Sequence, residues 1–208
     1  MTVLYLIRHG ETNGNVENIF HGHTDAPLNE NGIKQAEALK ERFKNIEIDA
    51  LYASPLQRTM DTANAVNFYH GLPIITDERL MEMNGGDFEG VPFEDINNLY
   101  PEEENLWCNQ IWDFVSPNGE GMRDVFKRSV AAISDIVSEN KGKKIAVVSH
   151  GCPIRCIMTY LNGYRIEEIT KLDWVRNSSV TKIVFDDNAN PTVDFFDCCE
   201  HFPDSLGF

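Results

Sequence analysis

Two short, unbroken apolar runs, each shut off by a histidine and a glycine, constrain this chain more than any other feature. Residues 3–7 (Val-Leu-Tyr-Leu-Ile) run into Arg8-His9-Gly10, and 144–149 (Lys-Ile-Ala-Val-Val-Ser) run into His150-Gly151. Apolar runs of this length without polar alternation are buried on both faces, as strands inside a helix-covered parallel sheet are. Helical periods occupy the intervals. In 30–43 the apolar Ile33, Ala36, Leu39 and Phe43 recur at three- and four-residue steps with charges between them, which predicts an amphipathic helix. Residues 49–53 read as a second strand. Ser54 and Pro55 then read as a serine cap and a proline at the first helical position, opening a helix to about Phe68.

A third strand is expected at 74–76, a helix at 125–137, another at 153–161 after His150, and two last strands near 179–185 and 192–197. Strands alternating with helices predict an α/β fold, a three-layer α/β/α sandwich with a mostly parallel sheet, in one domain over 1–208. The segment 77–124 breaks the rhythm. It lacks long periodicity, offers short helical stretches near 93–99 and 103–114, and reads as a lid or insertion. Pro101 followed by Glu102-Glu103-Glu104 suits a helix N-terminus, where negative charge is favoured.

Charge decides which partners to exclude. The 208 residues carry 33 acids and 18 bases, a formal net charge of -15, and nucleic-acid backbones or anionic membranes need a positive surface. The acidity is local: 77–124 holds 13 acids and 2 bases, 186–208 holds 6 acids and no base, and 125–185 holds 5 acids and 10 bases. The N-terminal apolar run ends at Arg8, too early for a signal or a membrane span. Five cysteines at 108, 152, 156, 198 and 199, odd in number and without zinc-type spacing, fit free thiols and a cytoplasmic home. Cys152 stands out because a thiol at a helix start near an anion site can have a lowered pKa, although packing is its ordinary use. Cys198-Cys199 reads as a small apolar pair at a strand end.

Ligands of open parallel sheets bind outside the carboxyl ends of the strands. Arg8-His9, the stretch Ser54 to Arg58 and His150-Gly151 each follow a strand, so two arginines and two histidines converge on one crevice. Forked arginine donors and nearby helix N-termini suit phosphate. His21 and His23 flank Gly22 but lack the carboxylate pattern of a metal site and read as loop residues.

Arg8-His9-Gly10-Glu11-Thr12 resembles the signature of the histidine phosphatase superfamily. The likeness extends through Asn15, Phe20-His21-Gly22, Leu28 with Gly32, Gln35-Ala36, Ser54-Pro55, Arg58-Thr59, Leu80 with Glu82, Phe88-Glu89-Gly90 and Ser149-His150-Gly151. This resemblance implies a small phosphomonoester as substrate, with no metal and no other cofactor. His9 would be the nucleophile that becomes phosphohistidine. Arg8, Arg58 and a cationic His150 would hold the phosphoryl oxygens, and Asn15 and the Gly151 amide would add hydrogen bonds. His21 and Gly22 would contact substrate. Glu82 falls on the family's proton-donor position, and a raised pKa there would draw on burial or on neighbours such as Glu78 and Asp87.

Within such a family the fork is hydrolysis against mutase-type phosphate transfer. The resemblance implies that glycolytic mutases carry a tyrosine at the position of Gly85, a lysine at that of Phe93 and an arginine pair beyond. Residues 80–122 contain no Arg or Lys, which favours a phosphomonoester hydrolase. The other readings are the mutase and a catalytically silent regulatory relative. Hydrolytic specificity is expected to lie in 77–124, whose acidity should disfavour carboxylated substrates. Edge strands at the C-terminal end are compatible with a homodimer.

Overall fold

The architecture is taken from a computed structural model, which describes residues 1–203; the end of the expected 1–208 domain, residues 204–208, lies outside the described residues. Six strands form one sheet: β1 (Thr2–Arg8), β2 (Ala50–Ala53), β3 (Ile74–Thr76), β4 (Lys144–Ser149), β5 (Val180–Phe185) and β6 (Pro191–Cys198), in the order β3-β2-β4-β1-β5-β6. β3, β2, β4 and β1 pair in parallel, whereas β5 is antiparallel to β1 and β6 to β5. The fold is therefore mixed α/β with a mostly parallel sheet flanked by helices.

Strand alternation builds the two outer layers. Leu4, Leu6, Ile145 and Val147 pack on one face against α6 (Met122–Glu139) and α7 (Gly151–Leu161) through Ile133, Ile136, Ile154 and Ile157. Tyr5, Ile7, Ala146 and Val148 pack on the other against α2 (Glu30–Phe43) and α3 (Gln57–Asn67) through Leu39, Phe43, Ala63 and Val66. A separate apolar cluster under the 77–124 segment unites Phe20, Met83, Phe88, Ile96 and Phe114 with Met122 of α6 and Cys156 of α7. That segment contains α4 (Phe93–Leu99) and α5 (Pro101–Asn109), with Pro101 at the helix start and Glu102, Glu103 and Glu104 in the first turn. The helix expected over 103–114 breaks at Gln110 into a separate 3-10 turn, Ile111–Asp113.

Two local expectations are corrected. Ile33 is 55% exposed, and the inward face of α2 is instead Gly32, Gln35, Ala36, Leu39 and Phe43. Its first turn lies against the chain after β1: a Cβ on Gly32 would sit 2.1 Å from the Glu11 carbonyl oxygen, and the Glu11 amide donates to Gln35 Oε1 at 2.9 Å. Ser54 does not cap α3, which starts at Gln57 after Leu56 without any side-chain cap; the hydroxyl is used in the crevice instead. A one-turn helix, α1 (Asn13–Val16), also forms after β1, with Thr12 and Asn15 closing a reciprocal capping box.

Candidate active site

Register brings the two histidines together. Arg8 pairs with Ser149 across β1 and β4, and the His9 amide donates to the Ser149 carbonyl at 3.0 Å, so His9 and His150 leave adjacent strand ends. Their ring centroids are 5.0 Å apart. Both are buried. His9 Nδ1 lies 2.7 Å from the Gly10 carbonyl oxygen, and since a carbonyl only accepts, Nδ1 carries the proton and Nε2 keeps its lone pair. Burial, then Arg58 and Arg8, hold the His9 pKa well below the usual imidazole value, so the ring is neutral.

The expectation of a cationic His150 is corrected in the same way. Burial, followed by the charge of Arg58, holds its pKa well below the usual value. His150 Nε2 is 2.8 Å from Ser54 Oγ, while Nδ1 is buried without a hydrogen-bond partner. The positive charge is left to the arginines. Arg8 Nη1 donates to the Val175 carbonyl at 2.5 Å, and its buried Nε has no partner. Arg58, in the first turn of α3 and almost fully buried, donates to the carbonyls of Thr24 (2.9 Å), Gly22 (2.8 Å) and His21 (3.4 Å). It thereby pins the 21–24 loop. Burial lowers the pKa of both guanidiniums, opposed chiefly by the Glu82 carboxylate.

Glu82 follows the 3-10 turn Glu78–Leu80 and faces the start of α7. Its Oε1 accepts from the Met83 amide at 2.9 Å and the Cys152 amide at 3.2 Å. The acids expected to act on it are engaged elsewhere or in solvent: Glu78 is exposed, and the Asp87 carboxylate accepts from Asn118. The backbone around Glu82 is held by a residue that no local pattern marks. Arg128 of α6 donates to the carbonyls of Arg79 (2.8 Å), Met81 (2.6 Å) and Glu82 (2.8 Å), and grips the Glu120 carboxylate through Nε (2.6 Å) and Nη2 (2.8 Å). A second bracket joins the two loops: Glu89 accepts from the amides of Gly22, His23, Thr24 and Gly85.

Asn15, His21, Gly151, Arg8 and Glu82 line a cavity of about 490 Å³; His9, next to Arg8 in the chain, and Arg58 and His150 are buried and do not themselves line it. Asn15 Oδ1 already accepts from Thr12 and Asn177, which leaves its Nδ2 to donate. His21 Nδ1 is buried without a partner. Gly22 stands apart from the cavity lining. Its amide goes to Glu89 and its carbonyl to Arg58, and a Cβ there would meet the Met83 carbonyl oxygen at 2.0 Å. The suggestion of a lowered Cys152 thiol pKa is also corrected: burial and then Glu82 push it well up. Among the described residues no group of three or more His, Cys, Asp or Glu is placed to hold a metal ion, and no helix is long and apolar enough to cross a membrane.

The sequence matches the family model of the histidine phosphatase superfamily (branch 1) over residues 4–197. The chain belongs to that superfamily. Its curated relatives include the Yersinia pestis protein named "Probable phosphoglycerate mutase GpmB", 34% identical over 192 residues that cover 90% of this chain and 87% of the relative. The structure of Bacillus stearothermophilus YhfR resembles this histidine phosphatase with a TM-score of 0.89 at 31% identity, covering 97% of this chain and 99% of that one. Phosphoserine phosphatase of Entamoeba histolytica, solved in complex with 3-phosphoglyceric acid, matches with a TM-score of 0.84 at 29% identity, over 97% and 99% of the two chains.

Proposed function

We propose that this histidine phosphatase is a metal-independent phosphomonoester hydrolase that works through a phosphohistidine on His9. The observation that carries the reading is the buried, neutral His9, whose Nδ1 is committed to the Gly10 carbonyl and whose Nε2 lone pair is left for attack, set beside the half-buried Arg8 and the buried Arg58. In-line attack by Nε2 on phosphorus forms the N–P bond as the ester oxygen departs. Arg8 and Arg58 offset the charge spread over the equatorial oxygens. With Ser54 donating its hydroxyl proton to His150 Nε2, the Nδ1–H of a neutral His150 becomes a phosphate donor, joined by Arg8 Nε, Asn15 Nδ2 and the Gly151 amide at the start of α7. Glu82 protonates the leaving alkoxide. It then takes the proton of the water that attacks phosphohistidine, which returns the enzyme to its starting state and releases phosphate.

Hydrolysis is favoured over the mutase reading, which the Yersinia relatives carry in their name, by what fills the positions of the mutase tyrosine and lysine. A Cβ on Gly85 would stand 2.6 Å from the Phe20 ring, so no tyrosine fits without displacing that ring. Phe93 lines the cavity where a lysine would be needed, and Arg8 is the one Arg or Lys among the described lining residues. Phosphate release from p-nitrophenyl phosphate in the presence of chelator is the expected activity. Turnover of 3-phosphoglycerate primed with its bisphosphate at rates far above any hydrolysis would establish the mutase instead, and loss of activity with chelator would establish a metal enzyme.

A further inference from the structure

The cavity continues away from the phosphate end as an aromatic chamber. Trp174 lies against the start of α7, where a Cβ on Gly151 would be 3.5 Å from its ring. The Arg155 guanidinium, 4.4 Å from the ring centroid, holds it there and is itself fixed by a 2.9 Å bond from Nε to the Leu172 carbonyl. Trp107 of α5 runs nearly parallel to Trp174, with centroids 5.9 Å apart and an interplanar angle of 15°. Trp107 is the hub of the wall: Phe114 meets it edge-on at 4.9 Å, Phe20 at 6.1 Å, and Phe93 lies at 6.2 Å.

Core packing accounts fully for Phe20 and Phe114, which are buried, and only in part for Phe93 and Trp107, which pack against the same cluster from outside it. Phe93 and Trp107 stay half-buried, Trp174 is 40% exposed, and α5 has no buried residue at all. All three rings also line the cavity. The space of about 490 Å³ falls within the 300–1,000 Å³ or so typical of small-molecule sites, well beyond what a phosphoryl group needs. Its charges are equally selective. Apart from Arg8 the charged lining residues are Glu82 and Glu104, so an anionic leaving group would meet carboxylates and no free cation.

We infer that the leaving group this site selects is an alcohol bearing an uncharged ring on a short linker, the phosphate bound at Arg8 and the ring packed among Phe93, Trp107 and Trp174. This inference names the substrate class and rests on the hydrolase reading above. The linker follows from the layout, since Gly151 and Glu82 stand at the phosphate end while Phe93 and Trp107 belong to the far wall.

The test compares alcohols of matched acidity: 3-phenylpropyl phosphate against propyl phosphate, with 3-phosphoglycerate as the anionic arm. Burying one phenyl ring is worth about 30-fold in kcat/KM, so that advantage is expected over propyl phosphate, with 3-phosphoglycerate below both. Trp107→Leu, which keeps apolar volume and removes the ring, should cut the phenyl advantage to about 3-fold or less; Trp174→Leu gives the same readout if the first variant fails to fold. Equal kcat/KM for the first two esters, or preference for 3-phosphoglycerate, overturns the inference and leaves the hydrolase reading standing. Calorimetric titration with 3-phenylpropylphosphonate and propylphosphonate separates the two claims. Tighter binding of the phenyl compound without hydrolysis of any ester would keep the ring site and discard the hydrolase, whereas equal binding would discard the ring site.

Discussion

At the scale of single residues, the nucleophile role proposed for His9 rests on its neighbours. The Gly10 carbonyl fixes the tautomer, and burial with two adjacent guanidiniums keeps the ring neutral. Nitrogen-15 NMR of the ring at pH 6 is therefore expected to show a neutral imidazole protonated at Nδ1; a doubly protonated ring would contradict the geometry. Arg8, His9 and His150 were legible because each ends an apolar run, and position after a strand is written in the local sequence. Ser54 was misread for the same reason. Its local pattern is that of a helix cap, while its partner, His150, is 96 positions away. The Cys152 thiol shows how local reasoning about charge fails: a helix start favours a thiolate, but full burial beside Glu82 outweighs it. Trp174 carries no signal at all until Arg155 and Gly151 are placed beside it.

At the scale of elements, the site depends on two brackets that tie loops to helices. Arg128 with Glu120 makes α6 the support of the Glu82 backbone, so in the proposed mechanism Arg128 is a positioning residue for Glu82. General acid catalysis is worth about 10²–10⁴-fold, and a misplaced donor should forfeit part of it. Arg128→Lys is expected to lower kcat about 10- to 100-fold on alkyl phosphates with little change in KM. Activity on p-nitrophenyl phosphate, whose leaving group departs without protonation, should change far less. Equal loss on both substrates would reduce Arg128 to a structural role. The second bracket closes on Gly22, where a Cβ would overlap the Met83 carbonyl. Gly22→Ala should cost about 1–3 kcal/mol of stability, seen as a fall in Tm of several degrees. β1 and β4 could be bounded from sequence because their apolar runs are unbroken, and α2 because its period is long enough to read. The short α1 and the break after α5 could not, since one turn of helix has no period and its caps are set by tertiary contacts. Ile33 fits the helical period yet faces solvent, because Gly32, in close contact with Glu11, takes the inward position of the first turn while Ala36, Leu39 and Phe43 stay inward.

At the scale of the whole molecule, the net charge of -15 and a dianionic substrate are reconciled by segregation. In the proposed reaction Arg8 and Arg58 serve the phosphate, and the 77–124 segment, with 13 acids and 2 bases, lies on the leaving-group side of the cavity. The buried histidines give this fold a pH signature. Burial lowers His9 and His150, and it brings His201, whose Nδ1 accepts from Arg42, down to about 4. Unfolded histidine titrates near 6.5 or so. Between these values the unfolded chain binds more protons than the folded one, so the contribution of these groups is complete above about pH 6.5 and is lost as pH falls. Tm is expected to drop between pH 7 and pH 5, and His201→Gln should make that slope shallower; a flat profile would contradict the assignment. The aromatic lining from 77–124 shows what composition conceals, because Phe93 and Trp107 pack against the buried cluster and line the cavity as well, on a segment whose α5 buries no residue of its own. The central claim, that phosphate passes through His9, is tested most directly by rapid-quench labelling with a 32P-phosphomonoester. The native chain should yield an acid-labile, base-stable phosphoprotein that disappears in His9→Ala. Hydrolysis by the native chain with no such species at any quench time, or labelling that survives His9→Ala, would contradict it.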